Sequence, residues 1–269
     1  MEYDPIKKRL GVFFNASPLF RKVFYKLLDL LLLRAWHVHR ELRKWMRTHP
    51  GSANIMDAGS GFGQYEFYLA GKNKQYNILA VDVKEEQVAD CNGFFKKIGY
   101  DNVRFEVGDL TTYQKPEYFD FILSVDVMEH ILEDVDVFRN FYASLKKGGM
   151  VLINTPSDQG GSDVKSDSEE SFIGEHVRDG YNMGELQAKL NSVGFKRTEG
   201  MYTYGTPGKI SWKLSMKYPM LMLNVSMLFI VLLPFWYIIF YPICFVLNYF
   251  DTYNTHKTGT GVIVLAWKD

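Results

Sequence analysis

The chain has 269 residues, 47% of them hydrophobic and 16% aromatic, with 31 basic and 31 acidic side chains. That length and apolar content exclude a disordered chain and suffice to bury one large core with additions. The only cysteines, Cys91 and Cys244, exclude a disulfide framework or a thiolate zinc site and point to a reducing compartment.

The neutral total hides an asymmetry. Residues 1–50 carry eleven Lys and Arg against four Asp and Glu, a net of +7 that leaves −7 for the rest. A basic first fifth suits an acidic partner surface, membrane or nucleic acid. Within it, Pro18 to Arg47 reads as one long leucine-rich helix. Phe20, Val23, Leu27, Leu31 and Trp36 interleave with basic residues, as in a helix lying on an anionic membrane. Asp29 interrupts the leucine run and no small-residue cleavage site follows, so no signal peptide is expected.

Residues 51–205 alternate short apolar runs with helical patterns, the signature of βα units. Strands are expected at 53–57, 77–82, 103–107, 119–125, 149–154 and 195–204, with a last one at 261–268. The expected fold is α/β, a doubly wound, mostly parallel seven-stranded sheet. Three regions follow: a basic helical 1–50, a catalytic domain of 51–205 with 259–269, and an apolar helical insert, 206–258. The polar, acidic stretch from Asp158 to Ser171 reads as a mobile loop.

The first expected strand runs through Asp57 into Gly59, Ser60, Gly61, Phe62 and Gly63. Alternate glycines let the backbone turn sharply and approach a ligand with no Cβ in the way. A dinucleotide loop needs G-x-G-x-x-G, and Gln64 stands where its third glycine belongs. The second strand ends in Asp82, placed to accept from both ribose hydroxyls of a nucleoside, and Val83 follows it. The third delivers Gly108-Asp109-Leu110, with Asp109 in reach of an adenine amino group. The fourth leads to Asp126, and Lys147-Gly148-Gly149 precedes the fifth.

In order and interval these motifs resemble the class I methyltransferase superfamily, in its small-molecule branch. The resemblance implies S-adenosylmethionine as cofactor, with the Gly59–Gly63 loop on its methionine part, Asp82 on the ribose and Asp109 on the adenine. The cofactor-contact set is then Asp57, Gly59, Ser60, Gly61, Gly63, Asp82, Val83, Asp109, Leu110 and Asp126.

Two further features bear on the reaction: Asp126-Val-Met-Glu129-His130, and Gly174-Glu175-His176-Val177-Arg178 ahead of a helix capped by Asn182 and Glu185. Either His130 or His176 is a candidate base for a phenolic acceptor. Arg178 and Tyr181 are candidate substrate contacts. Asp126, Glu129, His130 and His176 are also a candidate divalent-metal set. The pattern is similar to ubiquinone-biosynthesis-type O-methyltransferases and to small-RNA 2′-O-methyltransferases, with Asp126 where those families carry Glu. The metal-free reading is preferred.

From Tyr218 to Phe250 there are 33 residues without a charge. Two crossings of a bilayer need about 40 apolar residues, so a hairpin entering one leaflet, broken near Pro234 or Pro242, is expected instead. Tyr218, Trp236, Tyr237, Tyr241 and Tyr249 are candidate interface anchors. A soluble packing of this segment on the N-terminal helix, as lid or dimer interface, is the alternative. The functional expectation is methylation, by preference O-methylation, of a lipophilic phenolic, quinone-like or lipid-like acceptor. It takes place at the cytoplasmic face of a membrane and without a nucleic-acid partner. Competing expectations are C-methylation of a quinone, methylation of a membrane lipid, RNA 2′-O-methylation and a non-catalytic cofactor-binding adaptor.

Overall fold

In the computed structural model, which describes residues 17–160 and 177–269, the apolar runs form one seven-stranded sheet. Its strands are β1 (Ala53–Ala58), β2 (Tyr76–Asp82), β3 (Val103–Val107), β4 (Phe119–Val125), β5 (Leu145–Pro156), β6 (Arg197–Thr203) and β7 (Gly261–Trp267). They lie in the order β3-β2-β1-β4-β5-β7-β6, parallel except for β7, which runs antiparallel to both neighbours. The order reverses between β1 and β4, and at that switch point open α/β sheets bind ligands beyond the strand ends. All seven expected strands are present. The fifth begins at Leu145, earlier than expected, passes Gly148 at φ 78° and shifts register between Phe119 and Phe121.

Alternating side chains fill both faces of the sheet. On one face Ile55, Ile78, Phe121 and Leu152 pack beneath α2 (Leu33–Thr48), α3 (Gln64–Lys72) and α4 (Glu85–Lys97). On the other, Met56, Leu79, Ile122 and Val151 meet Phe138 and Phe141 of α5 (Asp134–Ser144) and Leu186 and Leu190 of α6 (Met183–Ser192). Asn182 caps α6 as expected, its side chain accepting from the Gly184 and Glu185 amides.

The N-terminal helix expected as one piece is two. Helix α1 (Pro18–Leu31) ends at Leu32, whose ψ of 112° is extended, and α2 starts at once. The break folds α1 back over the glycine loop. Val38, Leu42 and Trp45 of α2 belong to the main core, so this part of the basic region is integral to the domain.

The insert breaks at Ser226 and again just before Pro234, one of the two expected places, and not at Pro242. It comprises α7 (Thr206–Trp212), a π-turn, α8 (Tyr218–Val225), a 3-10 stretch (Met227–Val231) and α9 (Leu233–Tyr253). The chain reverses at Ser226, which is extended at φ −161° and caps the 3-10 stretch through its hydroxyl. Pro234 sits in the first turn of α9, where a missing N–H costs nothing, and Pro242 stays inside the helix at the loss of one hydrogen bond. The insert packs on α2 and the end of α1: Trp36 meets Phe245 edge to face, and the Tyr241 hydroxyl donates to the Leu30 carbonyl.

The fastening is Asp251, fully buried near the end of α9. Its carboxylate accepts from the amides of Tyr204 (3.1 Å) and Gly208 (3.0 Å) and meets His37 Nε2 of α2 at 3.0 Å and His256 Nε2 at 3.3 Å. One side chain thus joins α2, the end of β6, α7 and α9.

Candidate active site

The glycine loop leaves β1 with Gly59, Gly61 and Gly63 all at positive φ, at 85°, 53° and 82°. L-residues avoid that region, so these glycines set the turn. A Cβ on Gly59 would meet Val127 at 2.3 Å, whereas a Cβ on Gly61 meets nothing closer than 3.9 Å. The loop is thus packed from below at Gly59 and open above Gly61, a cradle shaped for a ligand. Asp82 braces it: Oδ2 accepts from the Gly61 amide and Oδ1 from the Lys84 amide, both at 3.0 Å. Val83 is exposed beside Asp82, and Leu110 is buried in the second core face. Asp109 is exposed, its carboxylate fixed by the Thr111 amide and hydroxyl. Gln64, the residue that replaces a third glycine, starts α3 and donates to Asp29 at 2.7 Å.

Beneath the loop lie orphaned polar atoms. Asp57 Oδ2, Ser60 Oγ and both Glu66 oxygens are buried without a donor from the rest of the protein. Burial, with the neighbouring carboxylates, pushes Asp57 up to about 7 and Glu66 well above the usual range, so the pair carries a proton near neutrality. Open glycine cradle, orphaned Ser60 hydroxyl and braced Asp82 together fit S-adenosylmethionine.

Asp126 follows β4 at φ 52°, a left-handed conformation held by its amide on the Asn154 carbonyl (2.8 Å). Its carboxylate pairs with Arg34 of α2 and accepts from Asn154 Nδ2 at 3.0 Å. The Arg34 amide in turn takes the Tyr204 hydroxyl as acceptor at 2.9 Å. Glu129 is buried against Thr155, whose hydroxyl donates to it at 3.1 Å, and burial with nearby Asp126 pushes it up to about 8. His130 is exposed on the 3-10 turn after Glu129.

Arg178 and Tyr181, expected to contact substrate, both turn to Asp134 at the start of α5. Arg178 pairs with its carboxylate, Tyr181 donates to it at 2.7 Å, and Lys189 adds a third donor at 2.6 Å. The geometry gives them a fastening task between α5 and α6. His176 lies outside the described residues. Among the described residues no three His, Cys, Asp or Glu side chains converge as a metal would require, and the Asp126 and Glu129 carboxylates are engaged by Arg34, Asn154 and Thr155. Among the described residues the donor set does not fit a divalent ion.

Helix α1 contributes what the sequence did not announce. Arg21, almost fully buried, donates to the Phe62 carbonyl inside the glycine loop at 3.0 Å and pairs with Asp90 of α4, and the Tyr25 hydroxyl donates to the same carbonyl. A single basic residue within a basic helix carries no mark of such a contact. Arg34 is equally unmarked.

The buried ionisable groups set a pH dependence. Asp57, Glu66 and Glu129 all have folded pKa values raised above the unfolded value of about 4, so their contribution is complete below that pH and is lost as pH rises, for Asp57 through about 7 and for Glu129 through about 8. His39 is pushed down to about 3 by burial, so its contribution is lost as pH falls from about 6.5. Stability of the ligand-free protein is therefore expected to be highest near pH 4, where these carboxyls begin to ionise in the unfolded chain while the fold keeps them protonated. Above that it falls by up to roughly 1.4 kcal/mol per pH unit for each of these carboxyls, with His39 offsetting one of them up to about pH 6.5, and the fall levels off past about pH 8. Denaturant melts from pH 4 to 8.5 check this, and Glu129→Gln, which still accepts from Thr155, flattens the decline.

Fold, cradle and acidic strand tips define an S-adenosylmethionine-dependent class I methyltransferase. The family model described as "Methyltransferase domain" matches residues 50–208, and the chain belongs to that family. It is similar to phosphoethanolamine N-methyltransferase 1 of Arabidopsis thaliana, 33% identical over 162 residues, which are 58% of this chain and 31% of that protein. It is also similar to (S)-coclaurine N-methyltransferase of Papaver somniferum, 27% identical over 148 residues, 55% of this chain and 39% of that one. The chain thus spans under two fifths of these relatives' lengths. Among solved structures, phosphoethanolamine N-methyltransferase 2 of Haemonchus contortus in complex with S-adenosyl-L-methionine shares the fold. It superposes at a TM-score of 0.61 with 20% identity, over 86% of this chain and 52% of that one.

Proposed function

We propose that the protein is a peripheral or monotopic methyltransferase that moves the methyl group of S-adenosylmethionine to a nitrogen of a lipophilic amine at the cytoplasmic face of a membrane. The observation that carries the membrane part is the apolar surface of the insert: in the apolar window of α9 only 11% is buried. Val225, Leu228, Ile238 and Ile239 are 79%, 82%, 71% and 62% exposed. Leu19, Phe20, Val23, Leu27 and Leu30 of α1 add a second exposed apolar face. Water tolerates contiguous patches of this extent poorly, and a bilayer covers them.

Nitrogen replaces the phenolic oxygen expected from the sequence because the similar proteins are named as N-methyltransferases. An amine attacks with its own lone pair as the carbon–sulfur bond breaks, so the protein must hold it in line and afterwards receive a proton. Asp126 and exposed His130, both just past β4 at the switch point, are the candidates to receive it. Transfer to oxygen, with His130 or His176 as base, is the competing outcome.

Vesicle flotation tests the membrane part. Wild-type protein is expected to float with anionic vesicles, and Ile238→Glu with Val246→Glu is expected to stay at the bottom with unchanged melting temperature. Each charge placed in hydrocarbon costs about 3 kcal/mol, enough to lower partitioning roughly a hundredfold. Equal flotation of the two proteins would remove the membrane from this reading.

A further inference from the structure

The break between α1 and α2 leaves a cavity of about 350 Å³ that methyl transfer does not use. Asp29, Trp36, His39, Arg43, Tyr249 and Tyr253 line it. They come from the end of α1, from one face of α2 at positions three and four apart, and from the last turns of α9. His39 is 6% exposed, its ring stacks on Tyr68 at 3.7 Å, and its Nε2 faces Asp29 Oδ1 at 3.5 Å, beyond a good hydrogen bond. Burial keeps this imidazole neutral, so it adds no competing cation. The lining therefore holds one carboxylate, Asp29, and one permanent cation, Arg43, with three aromatic rings around them. Arg43 is steadied by the Tyr253 hydroxyl at 3.3 Å, and Asp29 by Gln64.

An ammonium group is held by aromatic faces beside a carboxylate, and a phosphate by a guanidinium with a neighbouring N–H. A ligand that satisfies the whole wall carries both charges on a short frame. We propose that this cavity is a second binding site, taking a zwitterionic ammonium–phosphate headgroup. The ammonium lies against Asp29 and the rings of Trp36, Tyr249 and Tyr253, and the phosphate against Arg43. The cavity's rim is continuous with the apolar faces: Trp36 packs on Phe245, and Tyr249 on exposed Phe250. Supply of this headgroup by a membrane lipid rests on the membrane part of the proposed function; headgroup binding itself does not.

Calorimetry of the full chain with soluble phosphocholine, choline and inorganic phosphate tests the site without any methyl transfer. Phosphocholine is expected to bind, and choline and phosphate each about tenfold or more weaker. Asp29→Asn, and Tyr249→Ala combined with Tyr253→Ala at two exposed rings, are each expected to weaken phosphocholine about tenfold. Arg43→Gln is expected to bind phosphocholine no better than choline. Melting temperatures of the variants establish that they are folded. No phosphocholine binding by wild type at about 10 mM, or variants that bind as wild type does, would overturn the site. Flotation with phosphatidylcholine vesicles separates the sources: competition by soluble phosphocholine assigns the site to a lipid headgroup, and flotation indifferent to it assigns the site to a free zwitterion. Soluble binding without any flotation contradicts the membrane part of the proposed function and leaves this site standing.

Discussion

Gly59→Ala is expected to abolish cofactor binding and to destabilise the fold together, whereas Gly61→Ala separates the two effects. At Gly59 an added Cβ meets Val127 at 2.3 Å, and the backbone sits at φ 85°. The left-handed conformation costs about 1–2 kcal/mol for an L-residue and the overpacking about 1–3 more, so a loss of roughly 2–5 kcal/mol follows. At Gly61 the new methyl finds space, with Gln87 Nε2 at 3.9 Å, so the fold loses only the backbone cost, roughly 1 kcal/mol. If the cofactor occupies that space, as the open cradle fits, S-adenosylmethionine affinity is expected to fall by about tenfold or more. Calorimetric titration with S-adenosylhomocysteine beside thermal melts reads both quantities. Wild-type affinity in Gly61→Ala would mean that the opening above Gly61 is not the cofactor's place.

The second large effect is expected at Asp251→Ala. Removing this carboxylate strands the Tyr204 and Gly208 amides and leaves His37 without its partner, all in the interior. Breaking a buried network of this kind costs about 3–5 kcal/mol. At roughly 2–4 °C per kcal/mol for a domain of this size, the melting temperature is expected to drop by about 6–20 °C. Asp251→Asn, which keeps one acceptor oxygen, is expected to lose less. The consequence reaches function, because Asp251 joins α9 to α2, and α2 carries the Arg34 that pairs with Asp126. Scanning calorimetry of both variants checks it, and a shift under about 2 °C for Asp251→Ala contradicts the role given to this residue.

The parts of the molecule legible in the sequence are those written in local periodicity. Ile55 and Met56, or Phe121 and Ile122, fall on opposite sheet faces because strand side chains alternate, and apolar runs bounded by Gly and Asp mark where each strand ends. Gly59, Gly61 and Gly63 announce a tight turn, and Asp82 sits one βα unit later, where it braces that turn. What stayed hidden is held by contacts between residues far apart in the chain. Arg34 pairs with Asp126 across 92 positions and Arg21 reaches the Phe62 carbonyl across 41, and neither differs in type from its basic neighbours. Leu32, where the long helix breaks, has no helix-breaking chemistry. Its conformation follows from α1 packing on the glycine loop and from Tyr204 meeting the Arg34 amide. Pro242 looked like a break and is not one. Ser226, a small polar residue among apolar ones, supplied the turn instead.

The central claim is methyl transfer from S-adenosylmethionine to an amine held in a membrane. Its most direct test is incubation of the protein and isotope-labelled S-adenosylmethionine with a membrane extract, followed by mass spectrometry of lipid and aqueous fractions. The expected result is label on a nitrogen of a lipid-soluble compound, absent with Asp82→Ala. Label on oxygen or carbon, label confined to water-soluble products, or no transfer despite cofactor binding would contradict it.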